Sequence, residues 1–205
     1  MLAKLSIVEF LGKTASSDPV PGGGSIAALS AALAASLSEM VANLTMGKKD
    51  YAPAEEEMKM ISKEASRYRN KLSQDIDKDS DAYRQVIAAF KLPKDTEEKK
   101  EQREQAIQVG LKQAALVPLG VAKDAFKIID LAKQVVKKGN KNAVTDGAVA
   151  AMMARTAVLS ALYNVKINLG SIKDSAFVDD VLKQIQHLEV EITEKEKEVL
   201  LEVNL

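Results

Sequence analysis

The chain has 205 residues, 46% of them hydrophobic, which is enough for one large domain or two small ones. Its 29 basic and 29 acidic residues cancel, so the net charge does not indicate a nucleic-acid or membrane-surface partner. Cysteine is absent and His187 is the only histidine, which excludes a Cys/His zinc site, a thiolate nucleophile and an ordinary Ser-His-Asp triad. Proton transfer must therefore use carboxylates, Lys, Tyr or Ser, and we expect His187 to be an exposed bystander.

A short helix is predicted over residues 6–13, followed by a loop over residues 15–25 with the sequence ASSDPVPGGGS. Two prolines and three consecutive glycines are incompatible with a helix interior or a central strand. The next apolar run starts at once, with Ser25 as its predicted N-cap. A glycine-rich loop before a helix presents free N–H groups to an anion or a carbonyl group. It is not a P-loop, and the alternative is a tight hinge that lets two helices pack.

Residues 26–46 predict a helix that is rich in Ala and Ser and ends at Gly47. Its length invites comparison with a membrane span, but Ser30, Glu39 and Asn43 make it too polar. Small side chains let backbones approach closely, which suits a central buried helix or a subunit interface. The charged start of the chain is not a signal peptide, so we expect a cytoplasmic protein.

One long predicted helix covers residues 54–90. Its apolar residues recur at steps of three or four and share one face: Met58, Ile61, Ala65, Tyr68, Leu72, Ile76, Tyr83, Val86 and Phe90. Asp79 lies in the middle of that stripe, where burial is costly and should raise its pKa towards the range useful for proton transfer. Asp79 is therefore either an acid/base or a buried carboxylate satisfied by a Lys, an Arg or a helix N-terminus. Asp75, Asp77 and Asp81 are expected to form a solvated face.

Three further helices are predicted. One starts at an N-cap formed by Asp95 or Thr96 and runs to about Lys138, with a bend at Pro118. The others cover residues 143–169 and 174–205. Because no β pattern appears, we predict an all-α fold of six to eight helices in a single domain, residues 1–205.

The helix over residues 143–169 carries Asp146, Asn164 and Asn168 on a face of small residues. Polar side chains there are either interhelical hydrogen-bond partners or ligand contacts. Asp146 and Asn168 are 22 residues apart, or ~33 Å along a helix, so they cannot serve one compact site within one chain.

Five stretches in order along the chain carry a resemblance: PVPGGGSIAALSAALAASLSEMVANLTMGKKDY, DKDSDAYRQVIAAFKLPKDT, ALVPL, GNKNAVTDGAVAA and YNVKINL. They resemble the cyclodeaminase domain of formiminotransferase-cyclodeaminase and the stand-alone bacterial methenyltetrahydrofolate cyclohydrolases of the same family. The resemblance covers essentially the whole chain. One departure is Asp50, where relatives often have another Lys, which weakens a basic patch.

The resemblance implies an all-helical array of long and short helices, like the C-terminal domain of formiminotransferase-cyclodeaminase. It also implies a site at the PGGGS loop with Asp79 as the acid/base, the residue that the apolar stripe indicates independently. The expected substrate contacts are Pro21, Gly22, Gly23, Gly24, Ser25, Lys48, Lys49, Arg103, Asn140, Asp146, Asn164 and Asn168. No metal site is expected. Among them, Lys48, Lys49 and Arg103 are candidates for the glutamate tail of folate, as are Lys138 and Lys141; each is otherwise an ordinary surface or capping cation.

The activity implied by the resemblance acts on a tetrahydrofolate derivative and needs no bound cofactor. In a cyclodeaminase, N10 of 5-formiminotetrahydrofolate attacks the formimino carbon and ammonia leaves, which one carboxyl group of raised pKa can assist. A cyclohydrolase adds water to the methenyl carbon and yields 10-formyltetrahydrofolate. The segment GSIKDSAF favours cyclodeaminase, with cyclohydrolase as the alternative.

A helical oligomerisation scaffold without chemistry is the alternative of another class, although it explains neither Asp79 nor the three glycines. The expected partners are a folate, with one or several glutamates, and a second copy of the chain in a homodimer or a larger ring. The dimer is expected because the small-residue helix faces exceed what one modest bundle hides. The resemblance also admits a formiminotransferase partner, and neither nucleic acid nor membrane is expected.

Overall fold

The computed structural model describes residues 1–204, and this part of the chain contains helices and no strand. Its α-helices are α1 (Ile7–Thr14), α2 (Gly23–Thr45), α3 (Glu55–Phe90), α4 (Glu97–Lys138), α5 (Val144–Leu169) and α6 (Ser175–Leu201). Three short 3₁₀-helices accompany them: Leu2–Lys4, Lys49–Ala54 and Lys141–Ala143. The prediction of an all-α array of long and short helices is confirmed.

Helix boundaries follow local capping chemistry. Ser6 and Glu9 form a reciprocal capping box at the start of α1, and the predicted N-cap Thr96 accepts a hydrogen bond from the backbone of α4. Helix α4 continues through Pro118 as one element. Asp174 is the N-cap of α6, which ends at Leu201; the predicted extension to residue 204 is wrong, and Leu205 lies outside the described residues.

The centre of the protein is the antiparallel pair α2 and α5. Ten of their alanines are completely buried, because small side chains allow close helix contact: Ala27, Ala28, Ala31, Ala34, Ala35, Ala150, Ala151, Ala154, Ala157 and Ala161. Helices α3 and α4 pack against α2, and α6 covers α4 and α5. By length and composition, α2 and the segment Lys141–Leu169 could each cross a membrane, but 61% and 50% of these windows are buried, as in core helices.

The apolar stripe of α3 is buried along most of its length, but Tyr83 and Phe90 are 40% and 47% exposed. Their predicted burial is therefore wrong. Helix α2 begins beside Asp79, where Gly24 contacts the carboxylate. The part of α3 that follows has no α2 to cover it and borders open clefts instead.

The acidic face of α3 also differs from the prediction. Asp75 is only 4% exposed, and its two oxygens accept hydrogen bonds from Lys71 at 2.9 Å and from Lys78 at 2.7 Å. Asp77 is half-buried because it accepts hydrogen bonds from backbone N–H groups at the start of the chain. Only Asp81 is exposed, as predicted.

Candidate active site

A cleft of about 310 Å³ opens where α2 begins, between α3 and the end of α5. We call it the Asp79 cleft. Its lining residues are Pro19, Val20, Gly22, Gly23, Gly24, Asp79, Tyr83, Ala114, Asn164, Ile167 and Asn168. The structure thus brings together the glycines, Asp79 and the two asparagines that the sequence had indicated separately.

Helix α2 begins earlier than predicted, at Gly23, with Gly22 as its N-cap. The prediction of Ser25 as N-cap is therefore wrong, and two of the three glycines lie in the first helical turn. Glycine is needed in this turn because the turn lies very close to α3: a Cβ on Gly24 would lie 1.9 Å from Oδ1 of Asp79. Only glycine leaves room for the carboxylate against this turn.

Ser25 is completely buried and connects α2 to α3. Its Oγ lies 3.0 Å from Oδ2 of Asp79, 2.9 Å from the carbonyl oxygen of Ile76 and 3.1 Å from Oγ of Ser80. A hydroxyl has one proton and can donate to only one of these groups. Ser25 can donate to an ionised Asp79, or accept from a protonated one while donating to Ile76. It therefore holds the carboxyl group in either state rather than facing the cleft, where sequence reasoning had placed it.

Burial raises the pKa of Asp79, and hydrogen bonds from the hydroxyl and backbone of Ser25 oppose this shift. Within residues 1–204 no Lys or Arg forms an ion pair with Asp79; the ion pairs of the neighbouring part of α3 involve Asp75 and Asp81. The alternative in which a Lys or Arg neutralises Asp79 is thus not supported. The alternative of a helix N-terminus is supported in part, because the start of α2 lies against the carboxylate. A partly exposed carboxyl group with a raised pKa is suited to proton transfer.

Two amides face Asp79 across the cleft. Asn164 donates to the carbonyl oxygen of Ser160 at 2.8 Å, and Asn168 donates to those of Ala114 and Asn164 at 3.1 and 2.8 Å. Both side-chain N–H groups of Asn168 and one of the two on Asn164 are thus used within the protein. Their side-chain oxygens accept no hydrogen bond from the described residues, so they are the acceptors that remain for a ligand's N–H groups.

Other predicted contacts lie far from this cleft. Lys48 and Lys49 follow the opposite end of α2, which is ~33 Å long at 1.5 Å per residue. Asn140 is buried there: its backbone N–H donates to Oγ1 of Thr45 and its side chain to a carbonyl group of α2. Asp146 lies in the first turn of α5 at the same end. Within one protomer these residues cannot reach a ligand held at Asp79.

Three more predicted positions have contacts of their own. Arg103 donates to the carbonyl oxygen of Phe90 and lies over its ring. Lys138 pairs with Glu57, and Pro21 is a buried residue of the loop. These contacts are structural, so the predicted substrate contact has no support from the geometry of Pro21 or Arg103.

Sequence reasoning missed Tyr83 and Ile167 as cleft residues. Tyr83 lies one helical turn after Asp79 and Ile167 one turn after Asn164, so the same helical spacing that indicated the polar residues also indicates these neighbours. Pro19, Val20 and Ala114 carried no such signal. The described part of the chain has no group of three or more His, Cys, Asp or Glu side chains that could hold a metal ion.

Comparison with known proteins gives consistent matches. The family model described as formiminotransferase-cyclodeaminase matches residues 6–187. The chain is 40% identical to a methenyltetrahydrofolate cyclohydrolase of Methylorubrum extorquens, over 92% of this chain and 90% of that protein. It is 35% identical to the formimidoyltransferase-cyclodeaminase of Sus scrofa, over 87% of this chain but only 33% of that protein. The crystal structure of formiminotetrahydrofolate cyclodeaminase from Thermotoga maritima superposes with a TM-score of 0.88 at 31% identity, covering 99% and 98% of the two chains.

These relatives are enzymes by name, and they confirm the prediction of an enzyme. The chain belongs to the formiminotransferase-cyclodeaminase family. It spans about a third of the length of the formimidoyltransferase-cyclodeaminases that it matches and nine-tenths of the cyclohydrolase.

The contact between Gly24 and Asp79 can be tested by a double-mutant cycle. Gly24→Ala should lower the free energy of unfolding by about 1–3 kcal/mol, the usual cost of overpacking. In an Asp79→Ala background the obstructing carboxylate is gone, so the same change should cost less than about 0.5 kcal/mol. Urea denaturation of the wild type, the two single variants and the double variant gives the four free energies of unfolding.

Gly120→Ala is the matched control, because Gly120 lies within α4 and a Cβ there meets nothing within 4 Å. It should be neutral or stabilising. An equal loss from Gly24→Ala in both backgrounds would show that the clash is not with Asp79.

Proposed function

We propose that this protein is a methenyltetrahydrofolate cyclohydrolase, which converts 5,10-methenyltetrahydrofolate and water to 10-formyltetrahydrofolate. The observation that carries this proposal is the match at 40% identity, along nearly the whole of both chains, to a protein of that name. It reverses the preference for cyclodeaminase that we drew from GSIKDSAF. The geometry supports it with a carboxyl group of raised pKa on a cleft whose other lining side chains are uncharged.

The proposed reaction places its proton transfers on Asp79. The substrate is a cation with its charge spread over N5, the methenyl carbon and N10, so an ionised carboxylate beside it is stabilising. Asp79 takes a proton from water as the oxygen bonds to the methenyl carbon, which gives a neutral tetrahedral intermediate. It then returns the proton to N5 as the bond from carbon to N5 breaks. The hydroxyl proton leaves to solvent as the formyl group forms, so one proton is released overall.

Ser25 matches both halves of this cycle. While Asp79 is ionised, Ser25 donates to it; once Asp79 holds the proton, Ser25 can accept from it and donate to Ile76. The carboxyl group therefore keeps its position when its charge changes, and little reorganisation accompanies each transfer. The reaction written in this way uses no bound cofactor.

Formiminotetrahydrofolate cyclodeaminase is the second candidate, and the structural match to the Thermotoga maritima enzyme of that name favours it. Both reactions act on the same carbon. Each also needs a proton transfer at a nitrogen bonded to that carbon, N5 in the cyclohydrolase and N10 in the cyclodeaminase. They differ in what is added or lost at that carbon, water in one case and ammonia in the other.

One experiment separates the two candidates. The purified protein is incubated with 5,10-methenyltetrahydrofolate and, separately, with 5-formiminotetrahydrofolate while the methenyl absorbance is followed. A cyclohydrolase removes the absorbance faster than the uncatalysed reaction. A cyclodeaminase generates it and releases ammonia. Activity in neither assay would contradict both candidates.

Asp79→Asn keeps the size of the side chain and removes the titratable proton. Turnover should fall by ~10²–10⁴-fold, the scale of a positioned proton-transfer group, while folate still binds. Because burial raises the pKa in the folded state, the charged carboxylate costs stability above that pKa, and the cost disappears as the pH falls below it. At neutral pH the amide should therefore hold or raise the melting temperature.

Asp81→Asn, at an exposed position of the same helix, is the control and should change neither quantity. A paired structural Asp79 would behave differently, because breaking a buried ion pair costs ~3–5 kcal/mol and the melting temperature would drop. Unchanged turnover in Asp79→Asn would remove this residue from the mechanism.

Ser25→Ala should shift the pH dependence of the reaction. Ser25 lowers the pKa of Asp79, so its removal raises that pKa further. A general base works in its ionised form, so the acidic limb of kcat/KM should move to higher pH, and the rates should converge with wild type in alkali. Ser38→Ala is the control, since Ser38 is buried in α2 but bonds only within that helix. An acidic limb in Ser25→Ala that coincides with that of Ser38→Ala would contradict this role.

We also propose a homodimer through α2 and α5. The small-residue faces from which the sequence predicts a dimer do not form the interface, because they are buried inside the protomer. Each helix instead exposes larger apolar side chains along one face: Leu33, Met40, Leu44, Val149, Met152, Tyr163 and Ile167. A second copy of the same apolar surface is the occupant that would cover it.

The pairing would also bear on the cleft, because Ile167 belongs to both. Helices α2 and α5 are antiparallel, so a two-fold axis perpendicular to them would bring the Lys48 end of a second copy towards the Asp79 cleft. In that arrangement the predicted contacts at Lys48, Lys49 and Asn140 act across the dimer.

Light scattering at micromolar concentration should give the mass of at least a dimer. Met152→Lys places a charge in the middle of the exposed α5 face and should shift the protein towards monomer. Met60→Lys is the control, because Met60 is 66% exposed on α3, away from that face. A monomeric wild type, or equal dissociation of both variants, would contradict the proposed interface.

A further inference from the structure

A second groove adjoins the Asp79 cleft and is also about 310 Å³. The two share the wall formed by Pro19, Val20 and Tyr83. Beyond that wall the second groove follows α3 towards its end and is lined there by Arg84 and Lys91. We call it the Arg84 groove. The two spaces therefore lie side by side along α3, and Pro19, Val20 and Tyr83 border both of them.

The Arg84 groove carries the cations that the Asp79 cleft lacks. Lys91 forms no ion pair with any residue in the described part of the chain. Arg84 donates to Asp81 at 2.9 Å, but that carboxylate is 61% exposed and such surface pairs are weak, so an anion can replace it. The one acidic residue that lines the groove, Asp18, is paired with Lys13 at 3.6 Å. The groove thus offers two cations to carboxylates: the guanidinium of Arg84, which can donate two parallel hydrogen bonds, and the ammonium of Lys91.

The size of the substrate requires such an extension. A cleft of about 310 Å³ is at the lower limit for a small-molecule site, and a folate has a bicyclic ring, an aminobenzoyl group and a charged glutamate. The ring that reacts must lie at Asp79. Along α3, Tyr83 is ~6 Å, Arg84 ~7.5 Å and Lys91 ~18 Å beyond that residue, so an aminobenzoyl group at Tyr83 would be followed by a glutamate at Arg84 and Lys91.

We propose that the Arg84 groove binds the carboxylates of the substrate's glutamate tail through Arg84 and Lys91, with Tyr83 against the aminobenzoyl ring. This rests on the proposed function, since it deepens the substrate choice of the same site. It replaces Arg103, whose guanidinium is engaged with Phe90, and it needs no residue from the distant end of α2.

The test compares substrates with and without the tail. Wild type and the charge-reversed variant Arg84→Glu/Lys91→Glu are assayed with 5,10-methenyltetrahydrofolate and with 5,10-methenyltetrahydropteroate, which lacks the glutamate. The variant should raise KM for the folate by about tenfold or more and leave kcat nearly unchanged, because neither side chain touches the reacting atoms. For the pteroate, variant and wild type should have the same KM.

The control Lys94→Glu/Lys183→Glu makes the same change in net charge at two exposed lysines that line neither space, and it should behave as wild type with both substrates. Circular dichroism verifies that both variants keep their helices. An equal KM for folate in wild type and the groove variant would overturn the proposal. So would a rise of the same size for the pteroate.

Binding separates this proposal from the proposed function. Calorimetric titration with 5-formyltetrahydrofolate and with its pteroate counterpart measures the tail contribution without turnover. A tail-dependent loss of affinity in the groove variant supports the groove even if the wild type fails the turnover assay. Binding that is indifferent to the tail overturns the groove whatever the turnover assay shows.

Discussion

The contact between Gly24 and Asp79 sets the geometry of the site. A Cβ at Gly24 would lie 1.9 Å from the carboxylate, so the first turn of α2 and the middle of α3 meet at a distance that only glycine allows. This contact determines where α2 begins, and therefore where the cover over α3 ends. It also decides that Asp79 is partly exposed at the edge of the core, where burial raises its pKa while its side chain still lines the cleft.

The close packing of the alanine-rich helices α2 and α5 holds this contact in place. Completely buried small side chains hold the two helices close together, and the start of α2 then lies against the end of α5 at Asn164. A carboxylate on α3 and amide oxygens on α5 thereby face one space. Sites supported by packed helices of this kind hold their groups more rigidly than loops do.

Ser25 shows how one hydroxyl can serve a titrating neighbour. A buried carboxyl group normally needs different partners when ionised and when protonated. The hydroxyl lies between Asp79, Ile76 and Ser80 and can exchange donor and acceptor roles by rotation. The neighbouring carboxylate of Asp75 has different partners, because it forms ion pairs with two lysines, Lys71 and Lys78. No Lys or Arg within residues 1–204 pairs with Asp79, so in that part of the chain no ion pair opposes the rise that burial causes in its pKa.

The sequence alone determined the helices, because apolar residues spaced by three and four and the N-cap at Thr96 are local signals. It also singled out Asp79 and the glycines, since a carboxylate in an apolar stripe and three glycines in a row each violate a local rule. Tertiary packing decided the rest. Asp75 became buried because two lysines neutralise it, and Tyr83 became exposed because α2 ends its cover there. Lys48 and Asn140 were separated from Asp79 by the length of α2. Which residues face one cleft depends on how helices distant in sequence pack, and no spacing along one helix contains that information.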